Sequence, residues 1–510
     1  MKLRIIVWTA GALVAGSALV VPSPGRAIPA FARKYHTTCA RCHSVVPRLN
    51  NYGWNFKLRG FHVPGDEELG KISMKEDPFL SLPDQVPLAI RSLGFVQDMS
   101  PSHAKPDWNT DAKIELLMGG TVAKHHGFFL ELESEKEGSE FKTGIGNARF
   151  MFTDLIKKNP TALNVEVGKF NLDAFGVSHG RSLTMSPYAI YDFGDAIHGF
   201  PFADEVMGVN IYGAFNTGIG KGVAATEQKA GKAGQVTEAE RKALEAELKG
   251  QAAKPPPDTP EIIATRAVLD ALVKKGTLTR DDADKTLADL ISKLGPPQPV
   301  AQASGAAPAV VTLGKTDYDV RKGLFYQAGV VTRGAAGGNN LQGFGRLALA
   351  NGRDWWVGPV AYFGSNDIPT PADPTVTSTD RFHRIGLEAG FSGGAHRDVA
   401  GVSRRAVEFL AAYQSGEDNN IDGLGTKVRH TGGFAELAYL FDDKNLAVLR
   451  YDRLRSGDMS SINQETLTLN YTRYLRRNFK VGIEYVPDFL SNSTTHARTN
   501  TWTAFYDFAF

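Results

Sequence analysis

Apolar and polar residues alternate along most of the chain after residue 86. Leu467, Leu469 and Tyr471, for example, alternate with Thr468 and Asn470, and similar segments recur up to the C-terminus. A period of two places successive side chains on opposite faces of a β-strand. Each segment is therefore predicted to be a strand with one apolar and one polar face, and there are about sixteen of them.

The connections between the predicted strands alternate between short and long. Short ones lie at residues 124–127, 352–354, 442–445 and 476–478, and long ones at 97–107, 171–204, 364–380, 416–430 and 488–500. Short turns at one end and long loops at the other are typical of transmembrane β-barrels, which also favour even strand numbers. The predicted fold is mainly β, a transmembrane antiparallel barrel of about 16 strands built from residues 86–217 and 317–510. A soluble all-β domain with its apolar faces inward is the alternative.

The last strand and the polar faces also fit a membrane barrel. One face of the last strand is apolar and mostly aromatic, and comprises Trp502, Ala504, Tyr506, Phe508 and Phe510. The polar faces would line a lumen with Lys113, Glu115, Glu131, Glu133, Glu166, Glu436, Arg450, Asp452 and Glu484. The segment Asn171–Asp204 follows the fifth predicted strand and is long enough to enter the barrel as a constriction loop. It contains His179, Arg181 and His198, to which the pattern assigns no role.

Residues 218–316 interrupt the strand pattern and are rich in Ala, Lys, Glu and Pro. Their periodicity predicts a helical, Pro/Ala-rich insertion between flexible linkers. The insertion follows the sixth predicted strand, so strand parity places it on the periplasmic side. Docking of a partner, trimerisation of the barrel and a passive insertion remain open, and a passive insertion is the default.

The N-terminus has the features of an export signal. Lys2 and Arg4 precede the apolar run Ile5–Val21, and Ala27 closes a small-residue cleavage site. Residues 1–27 are therefore predicted to be a signal peptide, with an uncleaved membrane anchor as the alternative. The net charge of +2 gives no indication of nucleic-acid binding.

Both cysteines of the chain lie in the pentapeptide Cys39-Ala40-Arg41-Cys42-His43. Cys-x-x-Cys-His is the attachment signature of c-type haem. It predicts one covalent haem c on Cys39 and Cys42, with His43 as an axial ligand of the iron. A redox dithiol would need a thioredoxin-like βαβ unit, and a zinc site would need further ligands.

The second axial ligand is less defined by the sequence. His62 is the first candidate, because it follows a predicted helix from Arg48 to Leu58 that ends at Gly60, and Met74 and His36 are further candidates. Residues 28–85 are predicted to form a small α-helical monohaem cytochrome domain. This domain has too few apolar residues to enclose a haem, so the wall of another domain is expected to complete the enclosure.

The segment around the haem motif resembles a known family. The run Pro29-Ala30-Phe31-Ala32-Arg33-Lys34-Tyr35 precedes Cys39–His43, and Pro47-Arg48-Leu49-Asn50 and Gly53-x-x-Phe56-Lys57 follow it. This pattern is similar to the N-terminus of the fused outer-membrane cytochrome–porins, whose best-known members oxidise ferrous iron. The resemblance implies a monohaem domain that plugs a barrel of about sixteen strands. It covers residues 29–57 at motif level, and the helical insertion departs from the family plan.

The resemblance implies Fe(II):cytochrome c oxidoreductase activity at the outer membrane, with extracellular Fe(II) as donor and a periplasmic c-type cytochrome as acceptor. Such one-electron transfer needs no general acid or base, so no catalytic residue is assigned. Glu417, Asp418 and Asp422 are either collectors of Fe²⁺ or ordinary solvated loop charges. Electron export to an external acceptor, a solute porin with a haem-bearing plug, and a soluble periplasmic cytochrome are the other readings.

Overall fold

The structure is a computed structural model. It describes residues 30–35, 42–61, 71–73, 81–83, 88–98, 108–123, 125–137, 140–156, 158–159, 161–172, 182–191, 205–215, 279, 285, 322–332, 341–351, 355–370, 373–393, 406–442, 444–476, 478–487 and 500–509. The chain divides into two compact units, residues 1–222 with 311–510, and residues 223–310. The predicted signal peptide and, apart from residues 279 and 285, the predicted insertion lie outside the described residues.

The described N-terminal part consists of short elements: α1 (Ala30–Lys34), β1 (His43–Val45), β2 (Arg48–Leu49), α2 (Asn51–Leu58), β3 (Lys71–Ser73) and β4 (Ser81–Pro83). β1 pairs with β2 and β3 pairs with β4, both antiparallel. The predicted helix from Arg48 was wrong at its start, because Arg48 and Leu49 are extended. Asn50 caps α2 by accepting a 2.9 Å hydrogen bond from Gly53 N, which is the preferred role of Asn before a helix. None of the described helices has the length and apolar character needed to cross a membrane.

Sixteen strands form the rest of the described structure: β5 (Leu88–Asp98), β6 (Trp108–Ala123), β7 (His126–Glu137), β8 (Glu140–Phe152), β9 (Asn164–Asn171), β10 (Glu205–Phe215), β11 (Lys322–Thr332), β12 (Leu341–Asn351), β13 (Trp355–Thr370), β14 (Asp373–Gly393), β15 (Ala406–Asp418), β16 (Val428–Leu440), β17 (Asn445–Arg455), β18 (Gln464–Arg476), β19 (Phe479–Val486) and β20 (Thr501–Ala509). Each strand pairs with its neighbours in chain order, and β20 pairs with β5. The sheet is thus a closed antiparallel barrel, and the predicted strand number is confirmed.

The barrel wall is apolar outside and polar inside. On β16, Leu437 is 44% exposed on the outer face, whereas its neighbour Glu436 is completely buried on the lumen face. The predicted lumen residues Glu115, Glu166, Arg450, Asp452 and Glu484 are likewise buried. An apolar outer wall around a polar interior is the arrangement of barrels in lipid, and it is the reverse of the soluble alternative.

The two rims of the barrel differ. Strand β5 begins and β20 ends at the rim that carries the short connections β6–β7, β12–β13, β16–β17 and β18–β19, here called the short-turn rim. The opposite rim, the long-loop rim, carries the connection between β9 and β10. Strand β10 ends and strand β11 begins at the short-turn rim.

One predicted loop is a hairpin instead. The chain from residue 364 to residue 380 was predicted to be a long loop, but β13 continues to Thr370 and β14 already begins at Asp373. Ile368 pairs with Ser378, and Thr379 donates a 3.1 Å hydrogen bond to Asp367 across the two strands. This cross-strand pairing extends the sheet beyond the alternating segment that the sequence pattern detected.

Candidate functional site

Residues 42–61, here called the plug segment, lie in the lumen against the barrel wall. Their wall contacts are close to strand ends at the short-turn rim. Tyr474 Oη and Lys480 Nζ donate to the Val46 carbonyl oxygen at 3.3 and 3.0 Å. Tyr212 Oη donates to the Leu58 carbonyl oxygen at 2.6 Å, on another part of the wall. Because these contacts reach separate strands around the barrel, the plug segment is fixed in the lumen at several points.

His43 is oriented by the backbone of its own segment. Its Nδ1 lies 3.2 Å from the carbonyl oxygen of Arg48. A carbonyl oxygen only accepts, so Nδ1 carries the proton, and the basic nitrogen of the neutral ring is Nε2. A histidine that binds a metal through Nε2 is commonly held by such a bond at Nδ1.

Cys42 is half-buried beside His43, and a tight backbone contact holds it against α2. Asn50 N donates to the Cys42 carbonyl oxygen at 2.9 Å. A Cβ atom on Gly53 would overlap that same carbonyl oxygen and lie 2.9 Å from the Cys42 carbonyl carbon. Glycine at position 53 therefore permits the helix to approach the haem-motif turn.

Arg48 connects the plug segment to two wall strands. Its guanidinium is buried and pairs with Glu436 of β16 and, at 3.5 Å, with Glu408 of β15. It also donates to Tyr188 Oη at 3.3 Å, and Tyr188 Oη donates to Glu436 at 3.0 Å. Burial by itself lowers the pKa of Arg48, but its interactions with Glu436, Tyr188 and Glu408 outweigh this effect and raise that pKa. Arg48 therefore stays charged inside the barrel.

A buried aromatic group fills the space between α1, α2 and the wall. Phe61 stacks on Phe31 at 4.9 Å and contacts Phe129 of β7 at 5.6 Å, measured between ring centroids. The guanidinium of Arg149, on β8, lies 5.1 Å from the centre of the Phe129 ring. Trp54, on α2, is only 2% exposed, and it belongs to a buried cluster that also includes side chains of the barrel wall. The wall thus supplies much of the enclosure that residues 28–85 lack.

Residues 182–191, here called the inner loop, cross the lumen after β9. Glu484 accepts hydrogen bonds from Met185 N at 2.8 Å and Ser186 N at 2.7 Å. Arg450 donates to the Ser186 and Pro187 carbonyl oxygens at 2.9 and 2.7 Å. For these residues, the predicted constriction loop is confirmed. His179, Arg181 and His198 lie outside the described residues.

The acidic residues at the end of β15 and in the β15–β16 connection, which are Glu417, Asp418 and Asp422, all interact with other groups of the protein. Asp418 is completely buried and pairs with Arg384 at 2.7 Å, so it is not the solvated loop charge that was one of its two predicted roles, and it is not exposed for the other, the collection of Fe²⁺. Glu417 accepts from Lys427 at 2.6 Å and Arg429 at 3.0 Å. Asp422 bonds Thr426 and accepts from Leu424 N at 2.9 Å, and the Thr426 hydroxyl and Leu424 amide lower its pKa. These carboxylates organise the loop.

The structure brings Cys42 and His43 together in one turn, while Cys39, His62, Met74 and His36 lie outside the described residues. An oriented imidazole directly after a cysteine fits a c-type haem. Within the described part of the chain, no group of three or more His, Cys, Asp or Glu side chains could hold a metal ion.

The pattern did not identify Glu408, Glu436 and Tyr188 as partners of Arg48, because they come from distant parts of the chain. Arg48 was noted only for the resemblance and as the start of the predicted helix, and nothing in the sequence indicated a role for its side chain.

No family model matches the chain, and no curated protein matches it. Among solved structures, the anion-selective porin from Comamonas acidovorans is 10% identical, with 84% of this chain and 99% of that chain covered and a TM-score of 0.44. Salmonella typhi OmpF, in complex with daunomycin, is 9% identical, with 83% and 97% covered and a TM-score of 0.43. Pseudomonas putida OprB is 9% identical, with 83% and 94% covered and a TM-score of 0.43. The porin-like outer-membrane barrel fold of this chain rests on its own strand pairing and on its apolar outer wall.

Proposed function

We propose that the chain is an outer-membrane electron-transfer protein of the cytochrome–porin type. One covalent haem c on Cys39 and Cys42 takes electrons from extracellular Fe(II) and passes them to a periplasmic c-type cytochrome. His43 is the proposed axial ligand and His62 the proposed second ligand. The observation that carries the proposal is the placement of Cys42 and His43 in the lumen, with His43 Nδ1 held 3.2 Å from the Arg48 carbonyl oxygen.

An outer-membrane location is supported by the outer wall. Ile385, Leu387 and Phe363 are each more than half exposed on the barrel exterior. Such a surface is unfavourable in water and stable in lipid. Together with the predicted export signal at residues 1–27, it supports placement of the haem domain inside an outer-membrane barrel.

The residues of the chain would hold and insulate the redox group. When bound, haem supplies a one-electron centre whose potential depends on its axial ligands and its burial. His43 provides an oriented nitrogen, and Gly53 allows α2 to close against the Cys42 turn. The aromatic group around Phe61 packs the two helices against the wall and excludes water between them. In transmembrane barrels the short turns face the periplasm, so the plug segment is close to the side of the proposed acceptor.

Buried charge pairs in the lumen favour an electron carrier over a solute pore. Arg384 with Asp418, and Arg450 with Asp452, are completely buried although all four face inward. In an open channel the lumen-lining charges contact water. Along β14, β15 and β17 these charges are therefore packed against protein and do not line an open channel.

The test uses full-length protein purified from outer membranes in detergent. Haem is measured as the pyridine haemochrome, Fe(II) is added anaerobically at several pH values, and the α-band is followed. Fast reduction, reversed by an oxidised periplasmic cytochrome, supports the proposal. A variant with both Cys39→Ala and Cys42→Ala is expected to retain the barrel and lose this signal.

Two other results would replace the proposal. Haem with a low midpoint potential and no reduction by Fe(II) would indicate electron export. A barrel without covalent haem, but with single-channel conductance, would indicate a solute porin.

A further inference from the structure

Arg48 contacts His43 through its backbone and the barrel wall through its side chain. Its carbonyl oxygen accepts from His43 Nδ1, and its side chain is fixed by the barrel wall. We infer that Arg48 is a positioning residue, through which Glu436 and the inner loop set the orientation and basicity of His43. The inference rests on the proposed function, since it takes His43 as a ligand of haem iron.

The Arg48 side chain is anchored by three partners, although its own strand, β2, has only two residues. Its guanidinium contacts Glu436, Glu408 and Tyr188, and it is 4% exposed. Charge-assisted bonds in a buried setting are short and directional. The guanidinium and the carbonyl oxygen of one residue move together when the backbone shifts. The wall therefore fixes the acceptor that orients the His43 ring.

The network continues from Arg48 into the inner loop. Tyr188 Oη donates to Glu436 at 3.0 Å, and the guanidinium of Arg450 lies 4.3 Å above the Tyr188 ring. Arg450 also holds the Ser186 and Pro187 carbonyl oxygens. The inner loop follows β9 from the long-loop rim, whereas the plug segment is anchored close to the short-turn rim. Seating of the inner loop is thus connected to the residue that orients the proposed iron ligand.

The chemical consequence concerns the Nδ1 bond. A hydrogen bond donated by Nδ1 orients the ring and makes the nitrogen at the metal more basic, which favours the ferric state. Removing a wall partner of the Arg48 side chain is expected to weaken this bond. The acceptor itself remains, because it is a backbone carbonyl. The midpoint potential is then expected to rise, and the electron paramagnetic resonance signals of the ferric haem are expected to shift or broaden.

The experiment compares Glu436→Gln with Asp154→Asn in full-length protein. Both changes convert the wall partner of a plug arginine into an amide, because Asp154 pairs with Arg59 at 3.4 Å. Arg59 follows α2 and is not part of the Arg48 network. Haem content and circular dichroism establish that each variant is folded and loaded. Glu436→Gln is expected to raise the potential and alter the resonance signals, whereas Asp154→Asn is expected to match the wild type.

A second variant covers the case in which Glu436→Gln does not fold. Tyr188→Phe retains the ring and removes the hydroxyl donor to Glu436, and a smaller change in the same direction is expected. Haem-loaded Glu436→Gln or Tyr188→Phe protein with wild-type potential and signals would overturn the inference and leave the proposed function intact. Wild-type protein without haem would overturn both.

Discussion

For the substitution Gly53→Ala, helix propensity and the packing in the structure predict opposite effects on the stability of the plug segment. Gly53 lies in the first turn of α2, where alanine has a higher intrinsic helix propensity by up to about 1 kcal/mol. Helix propensity alone therefore predicts that Gly53→Ala stabilises the plug segment. The structure predicts the opposite, because the new Cβ would overlap the Cys42 carbonyl oxygen, which is backbone and has no rotamer to change.

The magnitude follows from the contacts that must change. Overpacking in a closed site costs about 1–3 kcal/mol. Displacing Cys42 also weakens its 2.9 Å hydrogen bond from Asn50 N, which contributes about 0.5–1.5 kcal/mol. After subtraction of the propensity gain, the plug segment should lose about 2 kcal/mol, which corresponds to a roughly thirtyfold larger equilibrium constant for local opening.

Amide hydrogen exchange, read by mass spectrometry on peptides within residues 42–61, measures this opening in the intact barrel. Gly144→Ala on β8 is the matched control, because a Cβ there meets nothing within 4 Å. Faster exchange in the plug segment of Gly53→Ala, with the control unchanged, is expected. Exchange that is slower than in the wild type would refute the contact argument and favour the propensity argument.

Three further substitutions test the packing of the plug segment, the apolar outer wall of the barrel and the buried ion pair between Asp418 and Arg384. Gly127→Ala would place a Cβ 2.6 Å from the Gly60 Cα, so protease digestion should release the plug segment faster than in the wild type. Gly120→Ala is the control, because its Cβ meets only a ring atom at 3.7 Å. Ile385→Lys puts a charge on the outer wall and should lower the free energy of barrel unfolding in lipid, by up to about 2–4 kcal/mol near the bilayer centre, which urea titration in vesicles measures. Asp418→Asn leaves Arg384 buried without its charge partner and should lower the free energy of unfolding by about 3–5 kcal/mol in the same assay. The rate of haem reduction by Fe(II) should not change. Slower reduction in a folded variant would instead support an iron-collecting role for Asp418.

Local alternation predicted the barrel well because each strand carries its own signal. Glu436 and Leu437 are adjacent and face opposite sides of the wall, as a period of two requires. Closure followed from strand number and connection lengths. The pattern failed at residues 364–380, where cross-strand pairs extend a hairpin through a segment without clear alternation. It also failed at Asp418, whose place near a strand end gave no sign of burial beside Arg384.

The sequence by itself determined most of the strands and the face that each strand turns outward, and it predicted haem attachment at Cys39–His43, because these depend on residues close together in the chain. Only the tertiary structure decided that the turn lies against the wall near the short-turn rim, with Arg48 bound to Glu408 and Glu436. These partners are separated by more than 350 residues, and they come within hydrogen-bond distance only because the plug segment lies inside the closed barrel. Charge pairing inside a closed lumen is a property of the whole sheet, so no local pattern could report it.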